Sequence, residues 1–305
     1  MVTGFGAAGG SPVRPSQVSR RGVLMGAAAI CVSGAASAQA APARVAAVDW
    51  AMLETTLALG LTPVAAAELV LFRSAAVEPA VPDSVADLGL RGSISYERLL
   101  ATRPDLVLIS PWYENRRAPL ERVAPVESLA IYGLGSPYEA AVAATRALGL
   151  RLGRSEAAER AVAETEAELA AARAALAPLA GRPALVMNLG DPRHFRAFGH
   201  DSMFGDVLAR IGLTSAWTEP TRFGAYPTVG VEALAGMDDA FVINVGPTPP
   251  AVLAGMRASA LWSAMPPIAA GRFVALDPVN PYGALPAARR FARLAAGSLA
   301  AFARG

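Results

Sequence analysis

The side chains that could do chemistry in this chain are few and fall into small groups. Ser202 stands beside Asp201, with His194 and His200 near in sequence, and these four could be assembled into a Ser-His-Asp hydrolytic set. Nearly any chain offers such a list, and there is no Gly-x-Ser-x-Gly turn to lift a serine above a sheet. His194 also sits between Arg193 and Arg196, a trio that could hold an anion near a strand end. Two histidines are too few for a three-His metal site, and the single cysteine, Cys31, closes off disulfides and zinc-thiolate sites in the body of the chain. No glycine fingerprint for a dinucleotide, no His-Glu-x-x-His and no phosphate loop ending in Lys is present; the chain has no lysine at all. No catalytic motif survives, and binding becomes the reading to test.

For binding, Arg91 is the first candidate. It lies in Gly89-Leu90-Arg91-Gly92-Ser93, a turn between two patterned elements. A guanidinium fork there can donate two hydrogen bonds to oxygens carrying partial negative charge, although a solvated loop arginine is the plain alternative. Tyr113 follows Ser110-Pro111-Trp112, just past an apolar run at Leu106–Ile109. Ligands of open α/β sheets sit at the carboxyl ends of strands, which is where that run would place it. Trp112 beside it is either ligand-facing surface or core.

These residues need a frame. Arg44–Val48, Pro63–Ala66, Leu106–Ile109 and Val126–Ile131 read as strands, and Met52–Leu59, Tyr96–Ala101 and Tyr138–Leu148 as helices. A second block repeats the style, with strands at Ala184–Asn188, Ala240–Val245 and Arg272–Ala275 and helices at Met203–Ile211, Val231–Leu234 and Ala287–Phe302. This is α/β alternation with buried parallel strands. Between the blocks, Ser155 to Leu179 is almost all Ala, Glu, Arg and Leu, with Pro178 its only Pro or Gly. Ser155 is the predicted N-cap, Glu156 and Arg160 an i,i+4 pair, and Val162, Leu169 and Leu176 one apolar stripe. The expectation is a stiff spine of about 35 Å. The expected fold is thus two Rossmann-like α/β lobes, residues 41–153 and 181–305, joined by one long rigid helix at 154–180.

The first forty residues read as an export signal. A polar start ends in Ser19-Arg20-Arg21, Gly22–Val32 is apolar, and small residues follow to Ala40 with two Ala-x-Ala cleavage patterns. Ser19-Arg20-Arg21-Gly22-Val23-Leu24 resembles the twin-arginine signal. The apolar run is too short for an anchor helix, and Ile30 before Cys31 argues against lipidation. The expected location is the periplasm of a Gram-negative bacterium. Residues 1–40 hold three of the 27 basic residues and none of the 25 acidic ones, so the chain from residue 41 has a formal charge of about −1. No basic excess remains to suggest nucleic acid as a partner.

Three stretches carry a family resemblance: Pro82–Arg91 with Pro104–Ile109; Asp191–Gly199 with Ser202–Phe204; and Leu261–Pro266 with Ala270–Phe273 and Pro281–Gly283. Over nearly all of residues 44–303 the chain resembles the periplasmic substrate-binding proteins that feed bacterial ABC importers, in the class with a rigid interdomain helix, and specifically the iron(III)-hydroxamate siderophore-binding proteins. The resemblance implies two lobes around a shallow cleft, slight closure, and docking onto an inner-membrane permease by a monomer with both lobe faces free. It implies no cofactor and no protein metal ligand, because siderophore oxygens already fill the iron's coordination shell. Arg91, Tyr113 and Tyr282 match the family's cleft residues, with Trp112 beside them, and Glu97 and Glu232 match its two docking acids. His194 takes a supporting place at the cleft edge. Ala75, Gly224 and Asn280 stand where a hydroxamate binder of this group has aromatic cleft residues; Phe72 and Tyr226 are near enough to fill part of that space. The expected consequence is a roomier, more polar cleft for a different hydroxamate or a bulkier siderophore. A corrinoid, haem or another iron chelate is the alternative cargo, and a secreted hydrolase the alternative function.

Overall fold

The structure, a computed structural model, describes residues 42, 44–133, 135–221 and 229–303. In the first half, β1 (Val45–Ala47), β2 (Ala65–Ala66), β3 (Ala86–Asp87), β4 (Leu106–Ile109) and β5 (Val126–Ser128) form a parallel sheet in the order β3-β2-β1-β4-β5. The helices α1 (Trp50–Ala58), α2 (Leu69–Ala75), α3 (Tyr96–Ala101), α4 (Arg117–Glu121) and α5 (Pro137–Arg151) connect and follow these strands. Three of these helices, α1, α3 and α5, have starts written in side chains. Asp49 Oδ1 accepts from Ala51 N at 2.8 Å and caps α1, Ser95 caps α3, and Ser136 caps α5 with Pro137 in the first helical position.

After α6 (Ser155–Ala175), the second half holds β6 (Pro183–Leu189), β7 (His194–Phe198), β8 (Thr214–Ser215), β9 (Val229–Gly230), β10 (Phe241–Val245) and β11 (Phe273–Leu276). They form one sheet in the order β11-β10-β6-β7-β9, with β8 pairing the start of β6. Here the all-parallel expectation fails. β7 is antiparallel to both β6 and β9, because the turn after β6 is a tight one, in which Asp191 Oδ1 accepts from Arg193 N and His194 N at 2.7 and 2.9 Å. A return of that length makes a hairpin and leaves no room for a crossover helix. Helix α7 (Met203–Arg210) follows β7. After β10 come α8 (Pro250–Arg257), α9 (Ala260–Ala264) and α10 (Pro266–Ala269), and α11 (Leu285–Ala303) ends the described chain. The predicted helix at Val231–Leu234 is a 3-10 turn, Val231–Gly236.

The spine helix differs from expectation at its ends. Ser155 is the first helical residue, not the cap, and the cap position, Arg154, offers no side-chain acceptor. The helix closes at Leu176, where Pro178 sits in a short 3-10 turn, Ala177–Leu179. Its apolar stripe is Ala158, Val162, Thr165, Leu169, Ala172 and Leu176, each at most 6% exposed. That face packs along α5 and α11.

Strand parity sorts the core into three layers. Val45 and Ala47 of β1, Leu106 and Leu108 of β4, Ala184 and Val186 of β6, and Phe241, Ile243 and Val245 of β10 all face one continuous core that also takes in α1, α5, α6, α7 and α11. The alternate residues face two separate outer cores: Ala46, Val48, Val107 and Ile109 one, and Leu185, Met187, Leu189 and Val242 the other. The two sheets therefore share their inner layer. Polar links cross the same boundary. Tyr132 Oη donates to Gly283 O at 2.6 Å, Tyr138 N to Asp206 Oδ2 at 3.0 Å, Arg210 Nη2 to Glu139 Oε1 at 2.7 Å and Arg290 Nη1 to Glu78 Oε1 at 2.5 Å.

Candidate ligand-binding cleft

In the first sheet the chain runs outward from β1 to β3 and then returns to lay β4 on the other side of β1. The carboxyl ends of β1 and β4 are therefore a topological switch point, the default ligand site of an open α/β sheet. Two inner-face positions meet there: Ser110 Oγ donates to Asp49 Oδ2 at 2.9 Å. Above them opens a depression lined by Asp49, Met52, Ser110, Trp112, Tyr132 and Tyr282 among others, with about 320 Å³ not filled by protein atoms, part of it open to solvent.

Three aromatic rings wall it. Trp112, 52% exposed, stacks on Tyr132 with centroids 6.0 Å apart and planes 16° apart. Tyr282 meets both rings edge-on, at 5.6 Å from Trp112 and 6.1 Å from Tyr132. Trp112 and Tyr132 come from the first half and Tyr282 from the loop after β11, so the trio spans the two lobes. The exposed Trp112 ring, backed by the half-buried Tyr132 and Tyr282, presents flat carbon surface to a ligand.

Beside this wall stands Arg91. Its Nε donates to Glu68 Oε2 at 2.5 Å, and its Cζ lies 3.8 Å from the centroid of the Trp50 ring. The ring face attracts the guanidinium, and the carboxylate fixes its rotation. Glu68 itself adopts the left-handed conformation, φ 58°, ψ 44°, which costs about 1–2 kcal/mol for a residue with a Cβ. Its N–H donates to Gly89 O at 2.7 Å, tying it to the turn that carries Arg91. The Arg91 charge reaches the other candidates: it favours the ionised forms of Asp49, Tyr113 and Tyr282. In each of the three, burial is the larger effect and pushes the pKa up. Burial also raises Tyr132 well above the usual phenol range, with the Glu54 and Asp49 charges adding to it.

The second-lobe wall has a basic member that the sequence reading named only as part of a possible anion trio with His194 and Arg193. In β7, Phe195 and Ala197 face the outer core, so Arg196, between them, faces the inner side. Its Nη1 donates to Tyr282 Oη at 2.9 Å. Alternation of apolar and polar residues over 194–198 is the signal that could have found it.

The remaining candidates fall out differently. Phe72 is 1% exposed and packs edge-on against Trp50 with centroids 5.2 Å apart; as a core residue of α2 it offers no surface to a ligand. Ala75 is buried in the same helix. Asn280 is not a vacated cleft position either: it is 1% exposed and its Nδ2 donates to Glu54 Oε1 at 2.7 Å. Tyr226 and Gly224 lie outside the described residues. His194 is exposed and its Nδ1 pairs with Asp191 Oδ2 at 3.0 Å. Glu97 is exposed in the first turn of α3, and Glu232 is exposed at the start of the 3-10 turn, its carboxylate folded against Gly230. Ser202 is fully buried; its Oγ donates to Gly199 O at 2.6 Å and accepts from Gly205 N at 3.0 Å as the cap of α7. A hydroxyl committed in this way is not a poised nucleophile, and His194 is paired elsewhere. Among the described residues no group of three or more His, Cys, Asp or Glu is placed to hold a metal ion.

Below the cleft, Glu54 of α1 is wholly buried. Its two oxygens accept from Asn280 Nδ2 and, at 2.8 Å, from Ala284 N, both from the second half. Burial outweighs these bonds and pushes its pKa up to about 8.

The sequence profile of the periplasmic binding protein family matches residues 45–279. The chain belongs to the periplasmic binding protein family. It is 31% identical over 253 residues, 83% of this chain and 86% of the relative, to the iron(3+)-hydroxamate-binding protein FhuD of Escherichia coli strain K12. Among solved structures it is similar to the desferal-bound siderophore-binding protein FhuD of Vibrio cholerae, at 28% identity and a TM-score of 0.79, covering 85% of this chain and 98% of that one. The petrobactin-binding protein YclQ of Bacillus subtilis shares the fold at 17% identity and a TM-score of 0.69, covering 85% and 93%. As a periplasmic binding protein, the chain has the two-lobed α/β architecture expected from its sequence.

Proposed function

We propose that this periplasmic binding protein captures a ferric hydroxamate siderophore in the interlobe cleft and hands it to the inner-membrane permease of an ABC importer. The observation that carries this reading is the meeting of Trp112, Tyr132 and Tyr282 at the β1–β4 switch point, with Arg91 held in a fixed direction by Glu68 and Trp50. Among the described residues Arg91 has its Nε taken by Glu68 and its face by Trp50, which leaves both Nη groups to donate to hydroxamate oxygens. In this reading the Tyr113 hydroxyl supplies a further donor, and the rings pack the carbon skeleton. Iron arrives as cargo with its coordination shell filled by the siderophore. The relatives named for iron(3+)-hydroxamate and desferal support this class.

In this reading the protein is not an enzyme; it binds and releases without turnover. Residues 1–40 direct export through a twin-arginine route and are removed, leaving a monomer in the periplasm of a Gram-negative cell. The lobes are residues 41–153 and 181–305, with the α6 segment between them. Glu97 and Glu232, exposed on opposite halves of the sequence, would each meet an arginine of the permease. Tyr226 and His194 would complete the cleft margin.

The test is a titration of residues 41–305 with ferric ferrichrome, ferric desferrioxamine and cobalamin, followed by tryptophan fluorescence. Saturable quenching by a ferric hydroxamate supports the proposal. Response to cobalamin alone replaces the cargo, and silence with all three overturns it.

A further inference from the structure

The cation that faces the cleft is compensated before any ligand arrives. Arg91 is held by Glu68 at 2.5 Å, the two side chains are 25% and 18% exposed, and the buried carboxyl of Asp49 lies within electrostatic reach of the same guanidinium. Two further arginines stand near it: Arg196 points its Nη1 at Tyr282 Oη, and Arg116 Nη2 donates to Gly92 O in the Arg91 turn. At the Arg91 turn itself the guanidinium charge is therefore offset locally by the Glu68 carboxylate, and its donors keep a fixed direction. Glu68 holds a backbone conformation unfavourable to a residue with a Cβ, in a segment hydrogen-bonded to the Arg91 turn, which marks its placement as built in.

We infer that Glu68 is a charge filter: it orients Arg91 and at the same time sets the cleft to prefer neutral or cationic ferric chelates over anionic ones. The inference rests on the siderophore-binding reading above and names the cargo's charge. An ion that must bring negative charge to Arg91 meets the Glu68 carboxylate as well, whereas the partial charges of neutral hydroxamate oxygens take the free Nη donors without that opposition. Val70, Leu71 and Leu90, exposed apolar neighbours of Glu68 and Arg91, add no charge of either sign to this rim.

One chelate with three tails tests it. Ferric desferrioxamine carries a terminal amine; acetylation makes the complex neutral and succinylation makes it anionic, with the iron centre unchanged. For the wild-type protein the dissociation constant should rise from amine to acetyl to succinyl, by roughly tenfold across the series at low salt, and the spread should shrink in 1 M NaCl. Glu68→Gln, which keeps an oxygen for Arg91 Nε and removes the charge, should bring the spread to about twofold or less. Because position 68 has positive φ, the matched pair Glu68→Asp and Glu68→Asn serves as a second measurement; both residue types tolerate that backbone, so any difference between them reports the charge. A wild-type protein that binds all three forms equally, or a Glu68→Gln or Glu68→Asn variant that keeps the full spread, overturns the filter while leaving siderophore binding intact. Absence of binding to any form overturns the parent reading and the filter with it.

Discussion

At Arg91 three contacts decide what one side chain can do. Lysine in its place would keep the charge and lose the planar face on Trp50, the Nε bond to Glu68 and the paired donors. Arg91→Lys should therefore weaken ferric hydroxamate binding nearly as much as Arg91→Ala, each by about 10- to 100-fold. Recovery of most of the affinity by lysine, read in the fluorescence titration, would show that charge alone matters. Tyr282→Phe removes the oxygen that Arg196 Nη1 reaches and should cost about tenfold in affinity, with the thermal midpoint little changed. The places of Arg91, in a glycine-flanked turn, and of Tyr113, just past an apolar strand, were legible in the sequence. Arg196 was named only within a trio that could hold an anion, because the alternation that makes 194–198 a strand was not weighed. Phe72 misled for the opposite reason. Helix α2 exposes Val70 and Leu71 while burying Leu69 and Phe72, so its hydrophobic pattern shows no single apolar face.

The element that reads most plainly from sequence is α6. Its composition and seven-residue stripe follow from elementary helix physics, and the structure departs from it only at the cap and the last turn. Leu169 lies in the middle of the stripe, 6% exposed, against the inner core. Leu169→Ala should destabilise the protein by about 2–5 kcal/mol, and urea unfolding should remain a single transition. Two separate transitions would mean that the sheets unfold independently. Short strands were harder to read than the helix. β3, β8 and β9 span two residues each, below the length at which alternation can be recognised, and the strand predicted at Pro63–Ala66 is reduced to the two residues of β2. The antiparallel β7 was hidden by a parallel pattern that its neighbours do obey.

For the molecule as a whole, the buried Glu54 makes stability depend on pH. Burial raises its pKa from 4.5 to about 8 in the folded protein, while the unfolded chain keeps the ordinary value. Its contribution is therefore complete below about pH 4.5 and is lost as pH rises through about 8. Across that window the change is on the order of a few kcal/mol. Glu54→Gln should remove this slope, although its amide N–H would face a donor, from Asn280 or Ala284, and carry a constant penalty of about 1–3 kcal/mol. The check is unfolding free energy by urea at several pH values: the advantage of wild type over variant should shrink from pH 5 to pH 8.5, and a constant difference would place the charge elsewhere. Docking belongs to this scale too. Glu97→Arg with Glu232→Arg should leave siderophore affinity within about twofold and abolish stimulation of the reconstituted permease's ATPase.

The inner layer shared by the two sheets has a consequence for how such a protein can change over generations. Its halves are lobes in shape but not interchangeable parts. Residues from β1, β4, β6 and β10 meet helices of both halves in one apolar mass. A half grafted from a distant relative would bring a surface shaped for a different neighbour. New cargo preferences are therefore most accessible through the cleft loops and rings, one residue at a time, with recombination of whole lobes confined to relatives whose inner layers still interlock.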